Sequence, residues 1–490
     1  MLLKLPNSNH DISLTEINKK SALELLQQNF LDFLTTFDAD LKENLINSYQ
    51  NQIYDSKLTT NIASILEDYI NIIFDLNTAN TSLINSQELA QNIYKTFIFK
   101  KCYKKSAPSE INFQLFDQSL QNIINDFEEI NFINLISKAI TENKTELLLQ
   151  IEQYCLWACH SQEGKTKHQN DIIFQIPKKI DPNNLIKIIA KDHIYKIDDT
   201  TKRFGFDFHD NQINETSAKK EANYCLYCHN REKDSCSKGL FDKDQNIKRS
   251  ATNIDLKGCP LDQKISEMNL LYKNHKSIGA IAIAMIDNPM LLLTGHRICN
   301  DCMKACIFQT QDPVNIPLIE TSILENVLNL KYGFEIYYLL TLWNPLNFDR
   351  PLPKPNSNKK VLICGAGPAG ISLAYNLLMD GHIAVVIDGL KIEPIKDQVF
   401  NNNGEILLYK DCKKQLFQNL SEKIAEGFGG VAEYGITPRW NKNYLKLARI
   451  TLERHNNFHL YGGIRFGSQI NKEQVFKIGF DHIAFCMGAG

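Results

Sequence analysis

Apolar residues recur at helical spacing through much of the first part of the chain. One such segment is Ser21–Phe37, which opens on a serine suited to an N-cap, and Ile62–Leu76 and Leu115–Ile140 repeat its pattern. Two shorter apolar runs, Ile172–Ile176 and His193–Ile197, predict strands. We therefore expect residues 1–215 to form a mostly helical N-terminal region, and the pattern gives no indication of its role.

The pattern changes after a proline-rich stretch at residues 344–359, which predicts an extended linker. Lys360–Cys364 is a short apolar run typical of a buried parallel strand. A glycine-rich loop, a helical segment and a second strand at Ile383–Ile387 follow it, and this order predicts an α/β Rossmann-like domain over residues 360–490. The predicted fold is thus multidomain, with an α-helical domain at residues 216–343 before the linker.

The loop after the first of these strands has the residues of a dinucleotide-binding site. Gly365 permits the tight turn, Gly367 lets the backbone approach a pyrophosphate, and Gly370 lets the helix pack closely on the strand. Ala369 belongs to the same loop, and the helix N-terminus behind it favours phosphate charge. Asp388 ends the second strand, where its carboxylate can accept hydrogen bonds from ribose hydroxyls. The loop alone does not distinguish FAD from NAD.

Charge and hydropathy exclude several other functions. The 490 residues include 54 Lys and Arg against 56 Asp and Glu, so no overall basic field favours nucleic acid as a partner. The longest apolar run, Ile278–Ile286, is about half of what a membrane-spanning helix needs. The first residues lack the apolar segment of a signal peptide. We expect a cytoplasmic protein without a membrane span.

Cysteine is concentrated in one stretch of the predicted helical domain. Seven of the thirteen cysteines lie there, at positions 225, 228, 236, 259, 299, 302 and 306. Tetrahedral zinc would accept such thiolates. The Cys259-Pro260 step and the spacing of Cys299, Cys302 and Cys306 are instead typical of iron–sulfur proteins. The spacing favours iron–sulfur clusters and leaves zinc as the alternative.

The order of these residues resembles a known family. Four features, taken in order, resemble the N-terminal double-cluster domain of the glutamate synthase small subunit, a domain that dihydropyrimidine dehydrogenase shares. They are the cysteines up to Cys259-Pro260, the segment ending in Asp287-Asn288-Pro289, the run Gly295–Cys299 and the run Pro313–Glu320. The resemblance implies two 4Fe–4S clusters with interleaved ligands. One would use Cys225, Cys228, Cys236 and Cys306, and the other Cys259, Cys299, Cys302 and the carboxylate of Glu320. By itself, Glu320 could also be a solvated residue at a helix start. The segment Phe241–Leu256, an insert relative to the family, predicts an exposed loop.

The C-terminal part resembles the FAD-binding domain of the same oxidoreductases, which belong to the pyridine nucleotide-disulfide oxidoreductase superfamily. Gly427–Ile436, with Gly429, Gly430 and Gly435, resembles the segment near the flavin ring, and Ala484–Gly490, with Gly488 and Ala489, resembles the loop that closes over FAD. The resemblance implies FAD as the cofactor, NADPH or NADH as electron donor or acceptor, and a separate acceptor or large catalytic subunit as partner.

No catalytic residue is predicted, because no Ser-His-Asp, Cys-His or paired-carboxylate set stands out in the sequence. The relatives carry a second dinucleotide domain for NAD(P)H, and the sequence contains no second strand–glycine loop–helix pattern. We therefore expect these 490 residues to be the N-terminal part of a longer protein, or a truncated product. The alternative function is a zinc-stabilised nucleotide-binding or scaffold module without redox activity.

Overall fold

The structure, a computed structural model, describes residues 1–76, 89–90, 92–103, 105–106, 108, 111–169, 171, 173–174, 176, 181, 188–191, 194–197, 215–231, 233–295, 299–419 and 441–488. Within these ranges, no helix is both long and apolar enough to cross a membrane.

The N-terminal region is mainly helical. It begins with an antiparallel pair of short strands, Leu2–Lys4 and Asp11–Ser13, and contains a second pair, Ile188–Lys191 and Ile194–Ile197. The α-helices between the two pairs are Lys20–Leu34, Ala39–Asn51, Ser56–Ile73, Phe99–Cys102, Gln118–Asn125, Glu129–Thr141, Thr145–His160 and Gln162–Lys167, with a π-helical segment at Tyr94–Ile98 and 3-10 turns at Leu14–Glu16 and Phe113–Leu115.

These N-terminal helices contribute to two separate cores. The first three pack with residues from 218 to 458 in one continuous apolar core, which includes Leu26, Tyr69 and Trp343. Residues 90–174 form a second core of their own around Phe132 and Tyr154. The region from residue 1 to 215 therefore contains two parts with different packing partners.

The cysteine-rich part is also helical. Its α-helices are Glu215–Tyr224, Ser235–Lys238, Ile265–Lys273, Ser277–Asp287, Leu291–Thr294, Asp301–Ala305, Ile316–Leu328 and Gly333–Leu342, with a 3-10 turn at Cys228–Arg231. The helix Ser277–Asp287 is apolar almost all round and contacts Ser56–Ile73, Ile265–Lys273 and Ile316–Leu328. Such a helix is stable only in the middle of a core, which explains why the N-terminal helices are needed to cover it.

The C-terminal part, called the sheet unit below (residues 360–488), holds a four-stranded parallel sheet. The strand order is Phe458–Tyr461, Ile383–Ile387, Lys360–Cys364 and His482–Phe485. Its helices are Pro368–Met379, Cys412–Leu416, Asn443–Glu453 and Lys472–Ile478, with a 3-10 turn at Lys396–Gln398.

Side chains of the central strand of this sheet alternate between two cores. Val361 and Ile363 belong to the large core, whereas Leu362 and Cys364 join Val475 in a small core on the other face. Parallel sheets are usually covered on both faces in this way.

The stretch at residues 344–359 is packed against its surroundings. The side chain of Asn344 donates to the carbonyl of Ala282 at 2.8 Å, and Leu346 and Phe348 are buried. The backbone of Lys354 donates to the carbonyl of Met379 at 2.8 Å. These contacts fix the path of the chain between the cysteine-rich helices and the sheet unit.

Several predicted elements lie where the sequence placed them, and three do not. The strands at Lys360–Cys364 and Ile383–Ile387 are confirmed. Ser21 is not the N-cap of the first long helix, because that helix begins at Lys20. Leu115–Ile140 is two helices, broken at residues 126–128. Ile173, Phe174 and Ile176, the described residues of a predicted strand, are not in one.

Candidate functional site

The first candidate ligand set, called the first group below, comprises Cys225, Cys228, Cys236 and Cys306. Cys225 follows the helix Glu215–Tyr224, Cys228 begins a 3-10 turn, Cys236 lies on a one-turn helix, and Cys306 ends the helix Asp301–Ala305. Burial raises the pKa of Cys225 to about 12 and that of Cys228 to about 11, and in both cases the Cys306 thiol raises it further. The pKa of Cys236 rises with its burial, and the thiols of Cys225 and Cys306 contribute. The charges of these thiols thus act on one another although the residues lie up to 81 positions apart in the sequence.

The second set, called the second group, comprises Cys259, Cys299, Cys302 and Glu320. Burial raises the pKa of Cys302, and Glu320 and Cys259 raise it further through their negative charge. The same kind of interaction links Cys259 to Glu320 and Cys299. Cys299 is exposed, so the second group is more open to solvent than the first.

Glu320 lies inside the helix Ile316–Leu328 and is 9% exposed. Burial raises the pKa of its carboxyl group to about 8. The alternative that Glu320 is a solvated residue at a helix start is therefore wrong. Gly295 leaves room for this carboxylate, because a Cβ atom there would come within 2.9 Å of Glu320 Oε1.

The two groups are adjacent. The backbone amide of Cys259, in the second group, donates to the carbonyl oxygens of Cys236 and Ser237, both at 2.9 Å. Gly258 has a positive φ of 81°, and a Cβ atom there would overlap the carbonyl of Ser237. This close backbone contact holds a ligand candidate of one group beside a ligand candidate of the other.

Backbone amides point toward several of the candidate sulfur atoms. The amide of Tyr227 donates to Cys225 Sγ, and the amide of Asp301 donates to Cys299 Sγ, each at 3.5 Å. Burial raises the pKa of the Cys306 thiol, and the backbone amides of Phe308 and Val314 act to lower it. Such N–H donors stabilise thiolate over thiol, and hydrogen bonds to sulfur are a recognised means of tuning iron–sulfur clusters.

Thiols and one carboxylate make up the candidate donor set. All thirteen cysteines are free thiols. Across the described part of the chain, no three His, Cys, Asp or Glu side chains stand close enough together to hold one metal ion.

Buried polar atoms without partners occur in the same stretch of the chain as several candidate ligands. They include side-chain atoms of Asn223, Tyr224, Ser237, Gln263 and Asn269. All five residues lie within the stretch from residue 223 to 269, where the first three cysteines and Cys259 also lie. Buried polar groups are normally paired, and similar atoms occur elsewhere in the described chain, as at Ser372 and Gln398, so this feature is not specific to the stretch.

The predicted nucleotide loop has the geometry expected of a sharp strand-to-helix turn. Gly365 has a positive φ of 112°, and a Cβ atom there would overlap the carbonyl of Cys486. A Cβ atom at Gly370 would overlap the carbonyl of Gly365. Gly367 is the N-cap of the helix Pro368–Met379, and its φ of −77° is open to any residue. Ala369 lies exposed in the first turn.

Asp388 has a role that the sequence did not indicate. Its carboxylate accepts the amide of Ala366, within the glycine loop, at 2.8 Å and the amide of Leu390 at 2.9 Å. The side chain therefore braces the loop from the end of the neighbouring strand. Each carboxylate oxygen retains acceptor capacity, and the contact with a ribose hydroxyl stays a prediction.

The other predicted FAD contacts are only partly described. Gly488 follows the edge strand with a positive φ of 68° and open space around its Cα. Gly429, Gly430, Gly435 and Ala489 lie outside the described residues.

Sequence reasoning missed Asn269 and Gln263. Asn269 lies on the helix Ile265–Lys273, among Met268, Leu271 and Tyr272, which are all buried. An amide at an inward position of an apolar helix is the signal that could have identified it. That signal does not reveal that Asn269 acts to lower the pKa of Cys225, which is 44 positions away in the sequence.

Comparison with known proteins finds partial similarities. No family model matches the chain. An uncharacterized protein of Rickettsia prowazekii is 57% identical over 201 residues, which are 41% of this chain and 28% of that protein. The glutamate synthase [NADPH] small chain of Bacillus subtilis is 31% identical over 132 residues, 27% of this chain and 24% of the relative. The NADPH-Fe(3+) oxidoreductase subunit beta of Geobacter sulfurreducens is 50% identical over 38 residues, 8% of this chain and 6% of the relative.

The chain thus spans less than a third of the length of each of these curated relatives. By name, one of them is the small chain of an NADPH-dependent glutamate synthase and another is a subunit of an NADPH-Fe(3+) oxidoreductase, whereas the Rickettsia protein carries no functional description. These partial similarities support an oxidoreductase and nothing more specific.

Proposed function

We propose that this chain is the iron–sulfur and flavin-binding part of an NAD(P)H oxidoreductase similar to the glutamate synthase small subunit. The first and second groups would each hold a 4Fe–4S cluster, and the glycine loop would hold FAD. When bound, FAD exchanges electrons in pairs with a nicotinamide nucleotide, and the clusters carry them singly. The residues of this chain position these groups and set their environment.

One observation carries most of the proposal. Seven cysteines and one carboxylate are spread over 96 positions from Cys225 to Glu320. Electrostatic effects on their pKa values link donors within the first group and donors within the second group, which supports the two ligand sets that the family resemblance implies. Eight protein donors in two sets of four are what two 4Fe–4S clusters require.

The packing of the cysteine-rich helices on the sheet unit supports electron transfer between the two parts. The helix Leu291–Thr294 contacts the helix Asn443–Glu453 of the sheet unit. Gly295, which ends the first of these helices, is next to Glu320 of the second group. The second group is therefore linked through one short helix to the part of the chain that would bind FAD.

The nicotinamide site and the final electron acceptor would lie outside the described residues. The two named oxidoreductase relatives are a small chain and a beta subunit. We therefore propose that a separate acceptor or large catalytic subunit receives the electrons.

The proposal is tested by iron content after strictly anaerobic purification of the chain. We expect about eight iron atoms and as many acid-labile sulfides per chain, with absorbance bands of flavin and iron–sulfur clusters. Cys225→Ser should lower the iron content by about half, since one of two clusters loses a ligand. The matched control is Cys412→Ser, because Cys412 is also buried but lies outside both groups and donates to the carbonyl of Leu328, as a serine can.

Stoichiometric zinc with negligible iron would contradict the proposal and favour a zinc-stabilised scaffold. An equal loss of iron in Cys225→Ser and Cys412→Ser would also contradict it. That result would mean that iron content follows general stability and does not depend on ligands of the first group.

A further inference from the structure

The insert at residues 241–256 is an ordered pair of hairpins on the surface of the cysteine-rich part. One hairpin has an antiparallel bridge between Phe241 and Ile247, and the other has one between Arg249 and Asp255. Side-chain oxygens accept backbone amides inside both turns and so fix their conformation. An ordered surface loses little conformational entropy when it binds a partner.

A cleft of about 400 Å³, called the insert cleft below, lies between the second hairpin and the helix that begins at Asp301. The charged side chains of its walls are Arg249, Lys257, Lys304, Asp255 and Asp301. Arg249 pairs with Asp255 at 2.9 Å. On the other wall, Lys304 pairs with Asp301 at 2.7 Å. Lys257 is 3.8 Å from Asp255, whose charge Arg249 already compensates, so the cleft holds one cation in excess.

The surface around the insert cleft is more basic than the chain as a whole. Within residues 238–257 and 301–304, all six lysines and arginines are exposed, whereas only Asp244 of the four carboxylates is. The exposed cations are Lys238, Lys243, Lys248, Arg249, Lys257 and Lys304. Six cations against four carboxylates leave this surface positive, although the whole chain has 54 cations against 56 carboxylates. Such a local patch attracts a negatively charged partner.

Apolar side chains are exposed on the same insert. Phe241 is 42% exposed, Ile247 is 37% exposed and Ile254 is 50% exposed. Ile254 also lines the insert cleft. Exposed apolar side chains among polar ones are typical of protein interfaces, whereas a small anion would use the charges alone. The mixture therefore favours a protein segment as the occupant.

The insert cleft lies beside the second group. The helix along one wall, Asp301–Ala305, contains Cys302. Cys299 is exposed, and its sulfur accepts the amide of Asp301 at 3.5 Å. A partner in this cleft would therefore contact the part of the chain that carries the most exposed candidate ligand.

We infer that the insert cleft is the docking site for an acidic segment of a partner protein that also carries apolar side chains. The excess of cations attracts and orients the carboxylates of that segment, and Ile254 contacts its apolar side chains. The inference goes beyond the proposed function, and the association does not require bound clusters. The competing explanation is a solvated surface with no partner, in which the exposed apolar side chains are incidental.

The test is fluorescence anisotropy of the full chain with a short fluorescein-labelled peptide in which glutamate and leucine alternate. We expect this peptide to bind, with a dissociation constant that rises as salt screens the charges. The same peptide with lysine in place of glutamate should not bind. Lys257→Glu and Lys304→Glu, on opposite walls of the cleft, should each weaken binding about tenfold at low salt, because each replaces an attraction by a repulsion. Ile254→Ser should also weaken binding, because it removes the apolar contact.

The matched controls lie on the helix Lys472–Ile478 of the sheet unit, where Lys477 and Ile478 are exposed. Lys477→Glu changes the net charge as much as Lys257→Glu does, and Ile478→Ser removes an exposed isoleucine as Ile254→Ser does. Neither control should change binding, and circular dichroism checks that every variant keeps its fold. Absence of binding by the unmodified chain, equal binding of the lysine peptide, or equal weakening by the control variants would overturn the inference. Absence of iron and flavin from the chain would contradict the proposed function and leave this inference standing.

Discussion

Glu335 and Arg454 form a buried ion pair that joins the cysteine-rich helices to the sheet unit, and we expect its removal to destabilise both together. Glu335 lies on the helix Gly333–Leu342, and Arg454 follows the helix Asn443–Glu453. The guanidinium donates twice to the carboxylate, at 2.8 and 3.0 Å, and the two side chains are 0% and 1% exposed. The perturbation that we propose is Glu335→Leu, which leaves the arginine charge buried without its partner.

The magnitude follows from this geometry. Removing one partner of a buried ion pair typically costs about 3–5 kcal/mol of unfolding free energy. Replacing both partners, in Glu335→Leu with Arg454→Met, removes the uncompensated charge. It still loses the bonds that Glu335 accepts from the amide of Tyr409, at 2.8 Å, and that Arg454 donates to the carbonyl of Leu407. At about 1 kcal/mol for each hydrogen bond, the double variant should lose only about 2 kcal/mol.

The assay is urea unfolding combined with hydrogen exchange measured by mass spectrometry. Glu335→Leu should weaken protection in peptides of the first core, such as those around Leu339, more than in the second core around Ile136. The control Lys359→Leu breaks an exposed, solvent-screened pair with Asp481 and should lower the unfolding free energy far less than Glu335→Leu does. A double variant as unstable as Glu335→Leu, or equal loss of protection in both cores, would refute the reasoning.

Three further predictions concern the sheet unit. Gly367→Val should abolish FAD binding, which flavin fluorescence measures, because the side chain would block the approach of the pyrophosphate. It should keep the fold, which circular dichroism measures, because any residue can adopt the backbone conformation of Gly367. Gly370→Ala should lower the unfolding midpoint itself, since its Cβ would overlap the Gly365 carbonyl, and an unchanged midpoint would contradict this packing. Burial, together with the charge of Arg454, lowers the pKa of His455 from 6.5 to about 4. As the pH drops from 6.5 towards 4, the unfolded chain therefore binds a proton at this histidine before the folded chain does, and the unfolding free energy falls. Between pH 7.5 and pH 5, the unfolding free energy of the unmodified chain should fall by about 2 kcal/mol more than that of His455→Gln. Parallel profiles of unfolding free energy against pH for the two proteins would contradict this.

Elements defined by local pattern were predictable from the sequence. The strand Lys360–Cys364 and the helix after it lie where the apolar run and the glycines place them. The break inside Leu115–Ile140 was not predictable, because it depends on a tertiary contact. Phe127 interrupts the helical segment and packs its ring 4.5 Å from that of His168, which is 41 positions away. Apolar periodicity does not reveal such a contact.

The candidate site was predictable in its residue types but not in its surroundings. The cysteine spacing pointed to metal ligands, and the division into two groups came from the family resemblance. Neither showed that Glu320 is buried or that Asp388 accepts the amide of Ala366 in the glycine loop. These features depend on contacts between distant segments.

Native mass spectrometry of the anaerobically purified chain tests the central claim most directly, because it weighs every bound group at once. We predict a mass excess equal to two 4Fe–4S clusters and one FAD. Cys225→Ser should lose the mass of one cluster and retain FAD, whereas Gly367→Val should lose FAD and retain both clusters. An excess that equals one or two zinc ions, or no excess at all, would contradict the account.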